Sequence, residues 1–402
     1  MNHPDKPLPF VEFIILLALM VSIVALATDV MLPALDIIGR DLGVADPNDT
    51  QIIISSLFLG FAAGQIAAGP VSDAIGRKPV IYIGYIVFIA GCLLSLFSTS
   101  FSMMLVGRVL QGLGAACPRI VTMALVRDGY EGRAMARIMS IVMAVFIIVP
   151  AIAPAVGQVT ILLAGWRATF VLLLVLAVIT FIWFAARQPE TLAVASRRAV
   201  SLRNFSAGIR EACGHRTTVG YTVGAGCIFG AFIGYLSSSQ QIFQTTFNTG
   251  TDFPLYFGAA ALAIGASSIF NSRMVMRFGM RFLTWRAVIG ATVISTVFLI
   301  PVLLNDGVPP LWLFMAWLLA NFFCIGIMFG NFNALAMEPL GHMAGLGAAL
   351  VGSASTFISL PLGWTIGHSF DGGVLPLVAG FALLGSMAIL VMIWTDRKPA
   401  ES

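Results

Sequence analysis

Charge is scarce in these 402 residues: Asp, Glu, Lys and Arg make up 10% of the chain, against a hydrophobic share of 59% and a mean hydropathy of +0.96. Water-soluble domains carry about a quarter charged residues, so the composition excludes a soluble globular protein and points to an integral membrane protein. Cysteine is equally thin. Cys92, Cys117, Cys213, Cys227 and Cys324 are scattered without CxxC pairing, which excludes a disulfide framework or a thiolate metal centre. The histidines, His3, His215, His342 and His368, are dispersed and terminal or loop-placed, and no Walker-type phosphate loop is present. With no acid–base pair clustered inside the apolar runs, neither an enzyme nor a cofactor is expected. The net charge of +4 follows from how the cations orient the chain in a bilayer and predicts no nucleic-acid partner.

What the chain has in abundance is long apolar runs. About 20 residues of helix cross the ~30 Å hydrocarbon core, and that template fits twelve times: 12–35, 50–70, 79–98, 102–126, 135–159, 165–186, 217–241, 254–275, 282–304, 311–332, 343–367 and 373–394. The first run, from Phe10 to about Leu35, is too long for a cleavable signal and reads as a retained span. The one long polar segment, 187–216, carries Arg187, Arg197, Arg198, Arg203, Arg210 and Arg216. The expected architecture is an all-α integral membrane protein of two six-helix halves, 1–186 and 217–402, joined by that linker. Lys6, Arg77, Lys78, Arg127, Arg133, Arg137, the linker arginines, Arg273, Arg277, Arg281, Arg286, Arg397 and Lys398 fall at the termini and in the even-numbered loops; only Arg40 and Arg167 fall in the odd ones. The positive-inside rule then predicts cytoplasmic termini and a cytoplasmic linker.

Two arginines break the pattern. Arg108 and Arg119, in the fourth run, are eleven residues apart, which is about 20° past three helical turns, so they share a face. A lipid-facing arginine at that depth costs at least ~2.5–3.5 kcal/mol, so the stripe is expected to face the bundle interior or a water-filled cavity. Gly112, Ala115 and Ala116 lie on the same side as a small-residue floor for the guanidinium groups. Asp29 is the one carboxylate well inside a run. If its span ends near Leu35 it lies about 9 Å below the outer side, level with Arg108, and the two become partners. Burial and a neighbouring guanidinium pull a carboxylate's proton affinity in opposite directions, so moving the arginine, or a substrate entering between them, switches protonation. A fixed buried ion pair that only sets helix register is the plainer alternative. Arg119 has no buried carboxylate left to pair with; it is held either by backbone carbonyls or in the cavity, attracting an anionic or electron-rich substrate. Gln111, Tyr235, Gln240, Asn321 and Trp364 are the neutral polar candidates for the cavity wall. Gly60, Gly64 and Ala68 read as helix-packing residues, and Pro150, Pro154 and Gly157 as the bending element of the fifth span.

The segment GPVSDAIGRKP, 69–79, resembles the loop signature of the major facilitator superfamily, G-x-L-x-D-R-x-G-R-R/K. Gly69, Asp73, Gly76, Arg77 and Lys78 match, while Ala74 replaces a usual basic residue. A degenerate echo, NSRMVMRFGMR, lies at 271–281, between the eighth and ninth runs, as an internal repeat predicts. RVLQGLGAA at 108–116, TDVMLPAL at 28–35 and VRDGYEGR at 126–133 are similar to segments of drug:proton antiporters of the Bcr/CflA type. APAVGQ at 153–158 matches the antiporter motif at Pro154 and Gly157 but has Ala153 and Gln158 where glycine is usual. The resemblance implies a proton-driven exporter of small molecules working by alternating access in a bacterial inner membrane, monomeric as is usual for the superfamily. It further implies proton coupling through Asp29 and Arg108, and a cytoplasmic latch built on Asp73, Arg77 and Asp128, with Asp73 near the start of the eleventh helix. The competing expectation is a symporter or facilitator importing a specific metabolite, an anion held by Arg119 among them.

Overall fold

The computed structural model describes residues 8–197 and 202–397; His3, Lys6, Arg198 and Lys398 lie outside them. Among the described residues twelve helices are long and apolar enough to cross a membrane, and no strand occurs. They are span 1 (Phe10–Asp41), span 2 (Pro47–Ile75), span 3 (Arg77–Leu96), span 4 (Phe101–Gly129), span 5 (Gly132–Ala164), span 6 (Arg167–Arg187), span 7 (Arg216–Thr246), span 8 (Gly250–Phe278), span 9 (Met280–Leu304), span 10 (Leu311–Met343), span 11 (Gly345–His368) and span 12 (Leu375–Asp396). Each apolar run of the sequence is therefore a helix. The helices outrun the apolar template because backbone hydrogen bonding continues into their polar ends.

The chain divides into two compact units, the first comprising Met1–Gly43 and Ser56–Ser201, the second Val44–Ser55 and Leu202–Ser402. The first unit is assembled by small residues. Side chains at Gly60 and Gly112 would collide with the Val109 and Leu57 carbonyls respectively, and one at Gly64 would come within 2.7 Å of Ala116 Cβ, so spans 2 and 4 touch backbone to backbone. Gly112 and Ala116 thus seat span 2, in place of the expected floor beneath the guanidinium groups.

The second unit is held by aromatic rings. Tyr235 packs on Phe322 and Phe257 at centroid distances of 4.7 and 5.7 Å, and Trp317 on Phe381 and Phe298 at 5.2 and 5.5 Å. Such pairs contribute about 0.5–1.5 kcal/mol beyond their buried area. Asn271 and Asn331 exchange a reciprocal pair of amide hydrogen bonds, both 3.0 Å, joining spans 8 and 10.

Candidate functional site

Span 1 is interrupted. Its α-helix runs over Phe10–Asp29, yields to a 3-10 turn at Leu32–Ala34 and resumes at Leu35–Asp41. Pro33 accounts for the break, since it has no amide hydrogen and disfavours helical geometry in the residue before it. Asp29 is therefore the last residue of the first helical segment, and it is 4% exposed. Among the described residues no hydrogen bond or ion pair reaches its carboxylate. Helical structure resumes beyond the break and ends at Asp41, six residues after the expected end at Leu35.

Arg108, fully buried, approaches the same stretch from span 4. Its Nη2 donates to the Ala27 carbonyl at 2.9 Å and its Nη1 to Gln111 Oε1 at 2.5 Å. The expected ion pair with Asp29 is not formed: the guanidinium is bound two residues earlier on span 1, about 3 Å along the axis. A carbonyl and an amide oxygen are therefore among the acceptors that hold it. Gln111, expected on a cavity wall, is also fully buried, with Nε2 3.5 Å from Ser95 Oγ and 3.6 Å from Cys92 Sγ, so it ties Arg108 to span 3. On the other side of Asp29, a side chain at Gly157 would collide with the Val30 carbonyl, which brings span 5 directly against the residue after the acid. Pro150 and Pro154 lie within one continuous helix, Gly132–Ala164. Gln158 Oε1 is buried without a hydrogen-bond partner among the described residues.

Arg119 is half-buried. Its guanidinium lies over the Phe146 ring of span 5, 4.5 Å from the centroid, and it makes no hydrogen bond or ion pair among the described residues. Backbone carbonyls, one of the two alternatives open from the sequence, are therefore not what holds it. Of the neutral candidates, Asn321 is fully buried, accepting from Ser295 Oγ at 3.0 Å and donating to the Trp317 carbonyl at 3.0 Å, as a core amide does. Tyr235 is fully buried in the aromatic core. Gln240 donates to Gln244 Oε1 at 2.7 Å, and Trp364 is exposed and stacked on His368 at 5.0 Å.

The loop signature forms a second cluster in the first unit. Arg77 is the first residue of span 3, with only 4% of its side chain exposed. Its Nε donates to Asp128 Oδ2 at 2.8 Å, and its Nη1 to Asp73 Oδ1 at 2.5 Å and Ser72 Oγ at 2.8 Å. Sequence reasoning missed the fourth member, Glu190, which follows span 6. Glu190 Oε1 and Oε2 accept from the amides of Arg77 and Lys78, both at 3.0 Å, capping the open end of span 3. Gly76 has φ +110°, and a Cβ there would come within 2.6 Å of Glu190 Oε2, so glycine is required both for the turn and for the carboxylate's approach. Lys78 Nζ donates to the Ala185 carbonyl at 3.1 Å, while the Gly69 carbonyl accepts from Ser72 Oγ at 2.8 Å and Gly69 has open space where a Cβ would sit.

The second unit carries a counterpart at the matching span ends. Arg281, at the start of span 9, lies 3.8 Å from Asp396 at the end of span 12 and 3.6 Å from Glu338 in span 10. Tyr221 Oη and Trp285 Nε1 also donate to Asp396, at 3.1 and 2.8 Å. A further polar knot in this unit binds residues 44–55. Asn48 Nδ2 donates to the carbonyls of His368 and Phe370 at 3.2 and 3.0 Å, Gln241 Nε2 donates to Asn48 Oδ1 at 3.0 Å, and Gln51 Nε2 donates to Gln241 Oε1. Gln241 opens a π-helical turn, Gln241–Thr246, that ends span 7.

The description Major Facilitator Superfamily belongs to the family model that matches residues 17–363. Among curated relatives, the multidrug resistance protein D of Escherichia coli (strain K12) is 27% identical over 352 residues, covering 85% of each chain. A bicyclomycin resistance protein homolog of Haemophilus influenzae is 26% identical over 361 residues, 87% of each chain. Among solved structures, the partially occluded, inward-open xylose transporter XylE from E. coli has a TM-score of 0.72 at 13% identity, covering 98% of this chain and 99% of that one, which shows a shared fold.

Proposed function

The chain belongs to the Major Facilitator Superfamily and is a membrane transporter, not an enzyme; from that premise we propose that it is a proton-driven exporter of small amphipathic molecules, working by alternating access from the cytoplasm of a bacterial cell. Relatives along most of its length bear the names of multidrug and bicyclomycin resistance proteins, which supports export of drug-like molecules. The observation that carries the proton coupling is Asp29: a buried carboxylate at a helix break with no partner among the described residues, beside an arginine bound to a neutral carbonyl on the same helix. A charge so placed is costly unless something neutralises it.

The cycle has two positions for the guanidinium. With Asp29 protonated, Arg108 rests on Ala27, as in this structure. When a shift of about 3 Å brings it to Asp29, the ion pair stabilises the carboxylate and releases the proton. At Gly157 span 5 meets the Val30 backbone with no side chain between them, which leaves room for this movement. Arg119 over Phe146 presents a flat, cationic and aromatic surface that selects electron-rich substrates. The arginine–carboxylate cluster of Asp73, Arg77, Asp128 and Glu190 latches the cytoplasmic ends of the first unit, with both termini on that side.

The test is transport by purified protein in proteoliposomes under an imposed pH gradient, with a panel of amphipathic drugs and dyes. Proton entry should drive substrate the opposite way, and Asp29→Asn should abolish the coupling. Movement of substrate in the same direction as the proton would establish the symporter reading instead, and an unchanged rate in Asp29→Asn would refute the role of Asp29.

A further inference from the structure

The linker between spans 6 and 7 contains a helix, Leu202–Gly214, that the twelve-span architecture does not require. At 100° per residue its sides separate cleanly. Gly208 and Ala212, 40° apart, are buried. A Cβ at Gly208 would lie 2.5 Å from Leu346 Cδ2 and 3.4 Å from Met343 Cε, so this face rests on the first turn of span 11. On one edge of that face, Glu211 Oε1 lies 2.8 Å from His342 Nε2. On the other edge come Phe205, Ile209 and Cys213, within about 80° of one another; Phe205 is half-buried, Ile209 39% exposed and Cys213 exposed. Beyond that strip stand Arg203 and Arg210, both exposed. The helix's one acid is thus on the far edge, engaged by His342, and the open strip is bordered by Ser206 and the two arginines, with no acid beside it.

Both attachments of this helix are span ends: it packs on Met343 and Leu346, where span 10 ends and span 11 begins, and one residue after it span 7 starts at Arg216. Span ends emerge from the hydrocarbon core, which places the helix near the membrane surface. An apolar strip left open at that height, with guanidinium groups along its border, has the form of a helix lying in the boundary between headgroups and acyl chains. We propose that Leu202–Gly214 is an interfacial helix that binds anionic phospholipid, with Phe205, Ile209 and Cys213 in the acyl boundary and Arg203 and Arg210 on the lipid phosphates. Guanidinium matches phosphate in charge and in its paired donors. This inference is independent of the transport reading, because it uses neither Asp29 nor Arg108.

Cys213 offers the probe. A spin label on it, with Cys92, Cys117, Cys227 and Cys324 replaced by serine, is examined in phosphatidylcholine vesicles with and without phosphatidylglycerol. Collision with oxygen, which concentrates in lipid, is compared with collision with a water-soluble nickel chelate. Oxygen should dominate in phosphatidylglycerol vesicles, and Arg203→Gln with Arg210→Gln should shift the ratio of immersed to water-exposed label roughly thirtyfold towards water, as two arginines near an anionic surface provide. Nickel-dominated collision in both vesicles would overturn the proposal, as would immersion indifferent to phosphatidylglycerol. Should the serine replacements impair folding, the full chain with native cysteines gives a second reading: phosphatidylglycerol should raise the melting temperature of the wild type more than that of the double glutamine variant, and equal shifts would overturn the proposal.

Discussion

Arg108 and Asp29 stand out in the sequence because charge is so rare in it, yet the bond between them does not follow from the sequence. Which acceptor a buried guanidinium takes depends on side-chain reach across two helices, and here a carbonyl two residues from the acid was nearer than the acid itself. Arg108→Lys retains the charge but loses the paired donors that hold Ala27 and Gln111 together. It should fold and lose most proton-coupled transport, measured in the same proteoliposomes. Gly157→Val should block the cycle by another route. The new side chain cannot sit beside the Val30 carbonyl without separating spans 1 and 5, so transport should vanish with substrate binding at least partly retained. In the loop cluster, Arg77→Gln leaves Asp128, whose side chain is 15% exposed, without its charged donor. A loss of about 2 kcal/mol in unfolding free energy is expected, read by thermal or denaturant unfolding in detergent.

Helices were legible as elements because hydropathy over twenty residues is a strong signal, whereas their ends were not. Glu190 shows why. It follows a helix-stopping Gln188–Pro189 pair and reads as one more polar linker residue, until folding brings it over the first amides of span 3. Glu190→Gln weakens that cap and should cost about 1 kcal/mol, with faster amide exchange at Arg77 and Lys78 and little change elsewhere. The echo at 271–281 was readable as a repeat. Its partners Glu338 and Asp396 were not, because they reside at the ends of spans 10 and 12 with no motif to mark them. An arginine at the start of the third helix of each unit, with carboxylates near the C-terminal ends of the fourth and the sixth, nonetheless recurs, although Glu190 accepts from backbone amides where Asp396 lies 3.8 Å from the Arg281 guanidinium. The linker helix escaped for a different reason: thirteen residues with an apolar strip are too short and too mixed to register against membrane spans.

At the scale of the molecule, twelve spans and a central linker could be counted from the succession of apolar runs alone. The membership of residues 44–55 could not: they begin span 2 but belong with the second unit, through the amides of Asn48, Gln51 and Gln241. The double variant Asn48→Ala, Gln241→Ala should therefore quicken amide exchange across 44–55 while leaving the aromatic core of the second unit protected. The whole account of energy coupling, however, turns on a single carboxylate. Its most direct test is the release of protons into weakly buffered solution when a substrate found in the drug panel is added to purified protein, followed with a pH-sensitive dye. The wild type should release protons on binding and Asp29→Asn should release none; equal release from the two proteins would contradict the assignment of Asp29 as the proton carrier.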